Sequence, residues 1–292
     1  MTSVGDDSAP LTTRAARWFD ELLRREGSTR AVGLLRLGMA CILWSEHGLH
    51  FRLHTDPTLD RIIVGVCFYL FSTAMLIGFR SRLACLLTGA TLFVAYFHLG
   101  ALGYSKWFVH NHSYAMANVT ILLALTPCGR SYSLDRLLEV RRAERRGEPP
   151  PPERGPLWAI PLIALQVCMV YFWGGYSKLT PLFLSGGRME QIFAHFYGSH
   201  EGVDFPGIKG ISLVMAWFTI LFEFVAPVGL WFRRTRKSLI LLGVCFHASI
   251  YWMIPVSTFS AMTVLCYLAF VPTSTVERVT EQLHGRPKRA PG

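Results

Sequence analysis

The chain has 292 residues, 51% of them apolar and only 16% charged, with a mean hydropathy of +0.34. That balance excludes an ordinary soluble domain, in which about a quarter of residues are charged. The net charge of +10 would suit nucleic acid, but the placement of the cations has a membrane explanation, so no nucleic-acid partner is expected.

In chain order, residues 1–30 are polar and then amphipathic and Arg-rich, from Arg14 to Arg30. They lack the short apolar core and cleavage site of a signal peptide, so they read as a cytoplasmic N-terminal segment ahead of a retained first span. Apolar stretches long enough to cross a bilayer, roughly 17 to 25 residues, follow at 31–49, 62–79, 83–102 and 110–126. The segment 128–156, with its charged and Pro-rich run Arg141 to Glu153, is expected to be a solvated cytoplasmic linker. Four further spans are predicted at 157–177, 211–232, 239–255 and 257–272. Little beyond Pro255 separates the last two, which read either as separate spans or as a broken hairpin. The outer loop, 179–210, mixes glycines with Phe183, Phe193, Phe196 and Tyr197, and a short interfacial helix is expected over Met189 to Tyr197. Residues 273–292 form a basic tail.

The predicted fold is therefore all-α, a polytopic membrane bundle of about eight helices with its membrane domain over 31–272. Eight spans put 22 Lys and Arg residues on one side and six on the other, namely Arg52, Arg61, Lys106, Lys178, Arg188 and Lys209, with Arg36 inside the first span. The positive-inside rule assigns the richer side, and both termini, to the cytoplasm of a multi-pass cell-membrane protein. The seven cysteines are scattered, without a CxxC pair, and indicate neither a disulfide framework nor a zinc site; no metal is expected.

Ionisable groups inside a bilayer are costly, from about 2.5 kcal/mol upward at a helix centre, and so mark sites. A central set comprises Arg36, Glu223 and His247, with an Arg36–Glu223 pair as one way to satisfy two of them. An outer set comprises Glu46, His98, His110, Asn111, His112, Tyr114 and Lys178. The topology puts these at similar depth, where they would converge on one pocket. Tyr171, Gly174, Gly175 and Lys178 share one helix face by their i, i+3, i+4, i+7 spacing. Glycines beneath a lysine predict a hollow in which the charged amine is disfavoured, as suits a base.

Three segments resemble the vitamin K-dependent gamma-carboxylase superfamily, also described as the horizontally transferred transmembrane domain. They are HNHSYAMANVTILLALTP at 110–127 followed by SLD at 133–135, QVCMVYFWGGYSKL at 166–179, and Glu223 with Pro227, an Arg cluster and then His247. The resemblance spans roughly Arg30 to Pro272. It implies that Lys178 is the base that deprotonates vitamin K hydroquinone, or a menaquinone-type hydroquinone, and that His112 supports the oxygenated intermediate. O2 then generates a strong alkoxide, which removes a glutamate γ-proton; CO2 adds there, and the quinone ends as an epoxide. His98, His110, Asn111, Tyr114, Tyr171, Gly174 and Gly175 are candidates for contact with the quinone or substrate, and Arg36, Glu223 and His247 would support them. Two departures stand out. No large β-rich lumenal region is expected after the last span, and Phe183, Leu184, Ser185 and Gly186 replace the Trp-Gly that usually follows the Lys-Leu pair.

The compact size is similar to small bacterial members that act with a helper protein on secreted peptide toxins, so a peptide substrate and a helper chain are expected partners beside the bilayer and the quinone. Two other readings stay open. One is a non-enzymatic partner in maturation, export or immunity of a peptide toxin. The other is a transporter, which the absence of repeats and of paired interrupted spans disfavours.

Overall fold

A computed structural model describes residues 23, 26–48, 51, 58–102, 108–198, 207–254 and 257–283. Apart from Leu23, the basic run Arg14 to Arg25 lies outside the described residues, as do Pro255 and the end of the basic tail from 284.

Every predicted span coincides with a helix. These are α1 (Arg30–His47), α2 (Leu59–Ile77), α3 (Ser81–Val94, continued by a π-helical segment Ala95–Leu102) and α4 (Asn111–Ala124). After α5 (Leu134–Arg145) come α6 (Ile160–Ser177), the single turn α7 (Pro181–Leu184) and the short helix α8 (Gly187–Tyr197). Then follow α9 (Ile208–Gly229), α10 (Arg236–Met253), α11 (Ser257–Cys266, continued by a 3-10 turn Tyr267–Ala269) and α12 (Thr273–Leu283).

Among the described residues four helices are long and apolar enough to cross a bilayer: α2, α3 with its π-helical end, α6 and α9. A fifth arises if α11 and α12, bent by 106° at their break, are taken as one broken span. The other predicted spans fall short for identifiable reasons. The 14 residues of α4 reach only about 21 Å at 1.5 Å per residue. Helix α1 carries Arg30, Arg36 and Glu46, and α10 is diluted by Arg236, Lys237 and His247.

The outer surface of the bundle is apolar. Leu59, Leu70, Val214, Leu221 and Leu241 are each more than 60% exposed, which is the pattern of side chains facing lipid. The interior is built around α1, whose Leu35, Met39 and Leu43 are wholly buried and which packs against α2, α4, α11 and α12.

One end of the bundle is latched by two opposite charges on two helix termini. The Arg36 guanidinium, fully buried, donates to the carbonyls of Met75 and Leu76 in the last turn of α2 and to those of Cys128 and Tyr132. The Asp135 carboxylate accepts from the backbone N–H groups of Arg80 and Ser81 at the start of α3, at 2.8 and 2.7 Å, and from the Ser81 hydroxyl. A cation at a helix C-terminus and an anion at an N-terminus both oppose the peptide dipole favourably. Gly78 turns the chain between these helices at φ +73°, and a Cβ there would lie 2.4 Å from Ser133 and 2.8 Å from Arg36 Nη1; only glycine fits. Arg80 and Tyr132, also at positive φ, are held in that costly conformation by Asp135 and Arg36 respectively.

The segment 128–156 is folded on either side of its exposed charged run. Ser133 caps α5 by accepting from the Arg136 N–H, and Arg154–Pro156 (β2) pairs antiparallel with Glu26–Ser28 (β1), Gly27 opposite Gly155. Arg30 Nε then donates to Glu153 Oε2 at 2.8 Å, which fastens the segment preceding α1 to the one preceding α6. The charge-rich composition of 141–153 concealed this, because the pairing is set by residues on either side of the run.

Candidate functional site

The expected central set does not meet. Arg36 serves the latch, Glu223 pairs with Lys178, and His247 bonds Tyr171 Oη at 2.8 Å. The Arg36–Glu223 pair considered from sequence is thus replaced by two separate solutions, with backbone carbonyls satisfying the arginine and a lysine satisfying the glutamate.

Lys178, at the C-terminal end of α6, turns its amine back along the helix. Nζ lies 2.9 and 2.8 Å from Glu223 Oε1 and Oε2 and 3.1 Å from the Gly174 carbonyl. The hollow expected above the glycines is filled by that carboxylate. A Cβ on Gly174 would meet Glu223 Oε1 at 3.1 Å, and one on Gly175 would meet Phe224 at 3.1 Å and Glu223 Cβ at 3.3 Å. The two glycines therefore let α9 approach closely enough for the pair to form. Pro227, one turn beyond Glu223, removes the N–H that would otherwise bond the Glu223 carbonyl, and the Pro227 carbonyl itself accepts from Cys168 Sγ at 3.3 Å. The pair is partly open: the Lys178 side chain is 26% exposed and that of Glu223 10%, with the Phe183 ring 5.9 Å from Nζ.

A second polar group joins α1, α4 and α11. His112 Nε2 is 3.0 Å from Glu46 Oε1, and Thr258 donates to Glu46 Oε2 at 2.5 Å. The His110 ring stacks on His112, 6° from parallel with centroids 5.1 Å apart. Asn111 opens the first turn of α4.

A third group is buried one turn further in. Tyr171 Oη bonds both His247 Nε2 and the Tyr267 hydroxyl. Tyr267 fits only because position 243 is glycine, where a Cβ would lie 2.0 Å from its hydroxyl. Phe259, next to Thr258 on α11, packs its ring 5.6 Å from that of His247, so adjacent residues of α11 touch the second and third groups.

His98 and Tyr114 are directed elsewhere. His98 Nε2 bonds Asp60 Oδ2 at 2.9 Å on an exposed face, and Tyr114 packs against Phe93, Tyr96 and Phe97, on a different face of α4 from the crevice described next.

A narrow apolar crevice runs between α4, α6 and α11, lined by Ala115 and Val119, by Gln166, Val167 and Val170, and by Met262, Thr263 and Cys266. With 3.6 residues per turn, one turn outward along each wall leads to His112 on α4, to Gly174, whose carbonyl holds Lys178, on α6, and to Thr258 and Phe259 on α11. The two part-buried polar pairs thus lie toward the same end of one crevice, on different helices. Sequence reasoning passed over Thr258 and Tyr267, because neither is ionisable in the range that draws attention. The glycine one helical turn before His247 was the available clue to Tyr267.

Among the described residues no cluster of His, Cys, Asp and Glu could hold a metal ion.

A largely helical chain with several helices long and apolar enough to cross a bilayer is that of a membrane protein. The family model of the HTTM domain matches residues 51–274, about three quarters of the chain, and the protein belongs to that family. No solved structure matches it.

Proposed function

We propose that this chain is a multi-pass membrane enzyme of the vitamin K-dependent carboxylase type. It binds a lipophilic hydroquinone with its apolar part in the crevice and its hydroxyls at the mouth, between Lys178–Glu223 and His112–Glu46. The observation that carries the reading is the position of these two pairs, one helical turn outward from the crevice on separate walls. The crevice is small, about 220 Å³, so its apolar walls on α4, α6 and α11 must part to admit an aromatic ring, while the hydrogen-bonding groups at its end suit the hydroxyls such a ring bears.

Lys178 and Glu223 act as a unit in this reading. The ammonium already has three acceptors, so proton uptake from a bound hydroxyl uses the carboxylate touching it, and the pair passes through its neutral lysine and carboxylic acid form, which a poorly solvated site disfavours least. His112 lies across the mouth to hydrogen-bond the other end of the polar head. The hydroquinone with O2 supplies a strong base when bound, which drives carboxylation by CO2 or another modification of a peptide or small substrate. Low water access protects such a base. We place the mouth at the outer face, with eight membrane crossings and both termini cytoplasmic, on the 22 to six distribution of Lys and Arg. A secreted peptide and a helper chain are the partners this orientation favours.

The test is quinol oxidation and epoxide formation in membranes holding the chain, with mass spectrometry of co-purified lipids and proteins. Turnover that depends on both Lys178 and His112 supports the proposal. No quinol consumption with any quinol supplied refutes it, and wild-type turnover in Lys178→Arg refutes the proton-transfer role of the Lys178–Glu223 pair.

A further inference from the structure

The Glu46 carboxylate has a partner on each oxygen: Thr258 donates to Oε2 at 2.5 Å, and His112 Nε2 lies 3.0 Å from Oε1. An ionised carboxylate only accepts hydrogen bonds, so Nε2 must carry the hydrogen it donates. Both side chains are 18% exposed, enough shielding for such a bond to hold a ring in place, and the parallel His110 ring fixes the plane in which His112 lies. The glutamate and the threonine come from α1 and α11, the histidine from α4, so tertiary packing sets this geometry.

We propose that Glu46, steadied by Thr258, is a positioning residue that holds His112 in the tautomer protonated on Nε2, and that the site thereby selects the hydroxyl-bearing, reduced form of an aromatic ligand over its carbonyl-bearing, oxidised form. The ligand class rests on the hydroquinone reading above; the tautomer does not. With Nε2–H committed to Glu46, the ring nitrogen left for a ligand is Nδ1, which presents a lone pair. A lone pair accepts from a phenolic O–H and faces a quinone carbonyl acceptor to acceptor, leaving both unsatisfied. The carboxylate partner of a histidine commonly sets its tautomer and orientation in this way. Discrimination against a ligand lacking the matching donor is the kind of selectivity a fixed polar site achieves well.

The test uses the full chain in nanodiscs. Nitrogen-15 NMR of labelled histidines, with the His112 signals assigned by their loss in His112→Asn, reads the protonation of each ring nitrogen without any ligand. The expected result is a protonated Nε2 and a bare Nδ1. Binding of menaquinol-4 and of menaquinone-4, measured anaerobically by tryptophan quenching, reads the selection. The reduced form is expected to bind about tenfold or more tightly, equivalent to about 1.4 kcal/mol. Glu46→Met should mix the tautomers and bring the ratio toward one. Thr258→Val should do so partially, whereas Thr258→Ser, which keeps the hydroxyl, should preserve it; the threonine variants decide the matter if Glu46→Met does not fold. An Nδ1-protonated or doubly protonated ring in the wild type overturns the proposal, as does a ratio indifferent to Glu46→Met and Thr258→Val. Failure of either form to bind, with the Nε2–H ring intact, overturns the selection together with the hydroquinone reading and leaves the tautomer assignment standing, so the two failures are distinguishable.

Discussion

Lys178 Nζ sits 2.9 and 2.8 Å from the two carboxylate oxygens of Glu223, a contact between residues 45 positions apart that Gly174 and Gly175 make sterically possible. Because Glu223 is the more deeply buried partner, the two members of the pair should respond differently to removal. Lys178→Met leaves a carboxylate without a counter-charge in a poorly solvated place and is expected to destabilise the fold by about 3 kcal/mol. A double replacement, Lys178→Met with Glu223→Leu, should recover most of that loss while remaining inactive. Thermal unfolding in detergent, paired with a turnover assay, reads both. A double variant no more stable than Lys178→Met would show that the ion pair is not what links α6 to α9.

Lys178→Arg keeps the charge but not the compact ammonium, and arginine does not give up its proton. Turnover should fall by about a hundredfold or more, the usual scale for losing a proton-transferring group, with expression and thermal stability near wild type. Activity within a few fold of wild type would assign Lys178 a binding role only.

Gly174→Val tests the approach of α9. Even a Cβ at this position comes within 3.1 Å of Glu223 Oε1, so a branched side chain must push the carboxylate off Nζ. Overpacking of this kind costs about 1 to 3 kcal/mol. We expect a lowered unfolding temperature together with loss of turnover, and Gly174→Ala should be intermediate. Full activity in Gly174→Val would mean that the pair is not needed in the contact seen here.

In the buried trio, Tyr171 and Tyr267 are not equivalent. Tyr267→Phe removes one hydrogen bond and leaves Tyr171 bonded to His247, at a cost of about 1 kcal/mol. Tyr171→Phe strands both His247 Nε2 and the Tyr267 hydroxyl and should cost about 2 to 3 kcal/mol. Equal melting temperatures for the two variants would remove Tyr171 from its central place in the chain of bonds.

Arg36→Met leaves the carbonyls of Met75, Leu76, Cys128 and Tyr132 without their common donor. The expected loss is about 3 kcal/mol or more, and Arg36→Lys should rescue only part of it, since an ammonium cannot reach carbonyls spread around a planar fork. Proteolysis in the segment 128–156 should accelerate in both variants, because that segment is tethered by the same guanidinium. An unchanged cleavage rate would confine Arg36 to the α1–α2 contact.

The positions of the helices were legible in the sequence because apolar run length is a local quantity. Each predicted span overlaps a helix within a few residues, and the short helix expected after Lys178 appears as Gly187–Tyr197. Lys178 and His112 stood out for a related reason: an ionisable group in an apolar run is costly wherever the run ends up. Which polar groups meet was not legible. Lys178 with Glu223, Glu46 with His112 and Thr258, and Tyr171 with His247 and Tyr267 each join helices distant in the chain. The rotation of each helix about its axis, which decides such pairs, is set by side-chain packing and by the small residues that let backbones approach. Tertiary structure alone decided that Arg36 closes a helix end instead of pairing with Glu223, that Asp135 caps the start of α3, and that a glycine pair read as a hollow is filled by a carboxylate.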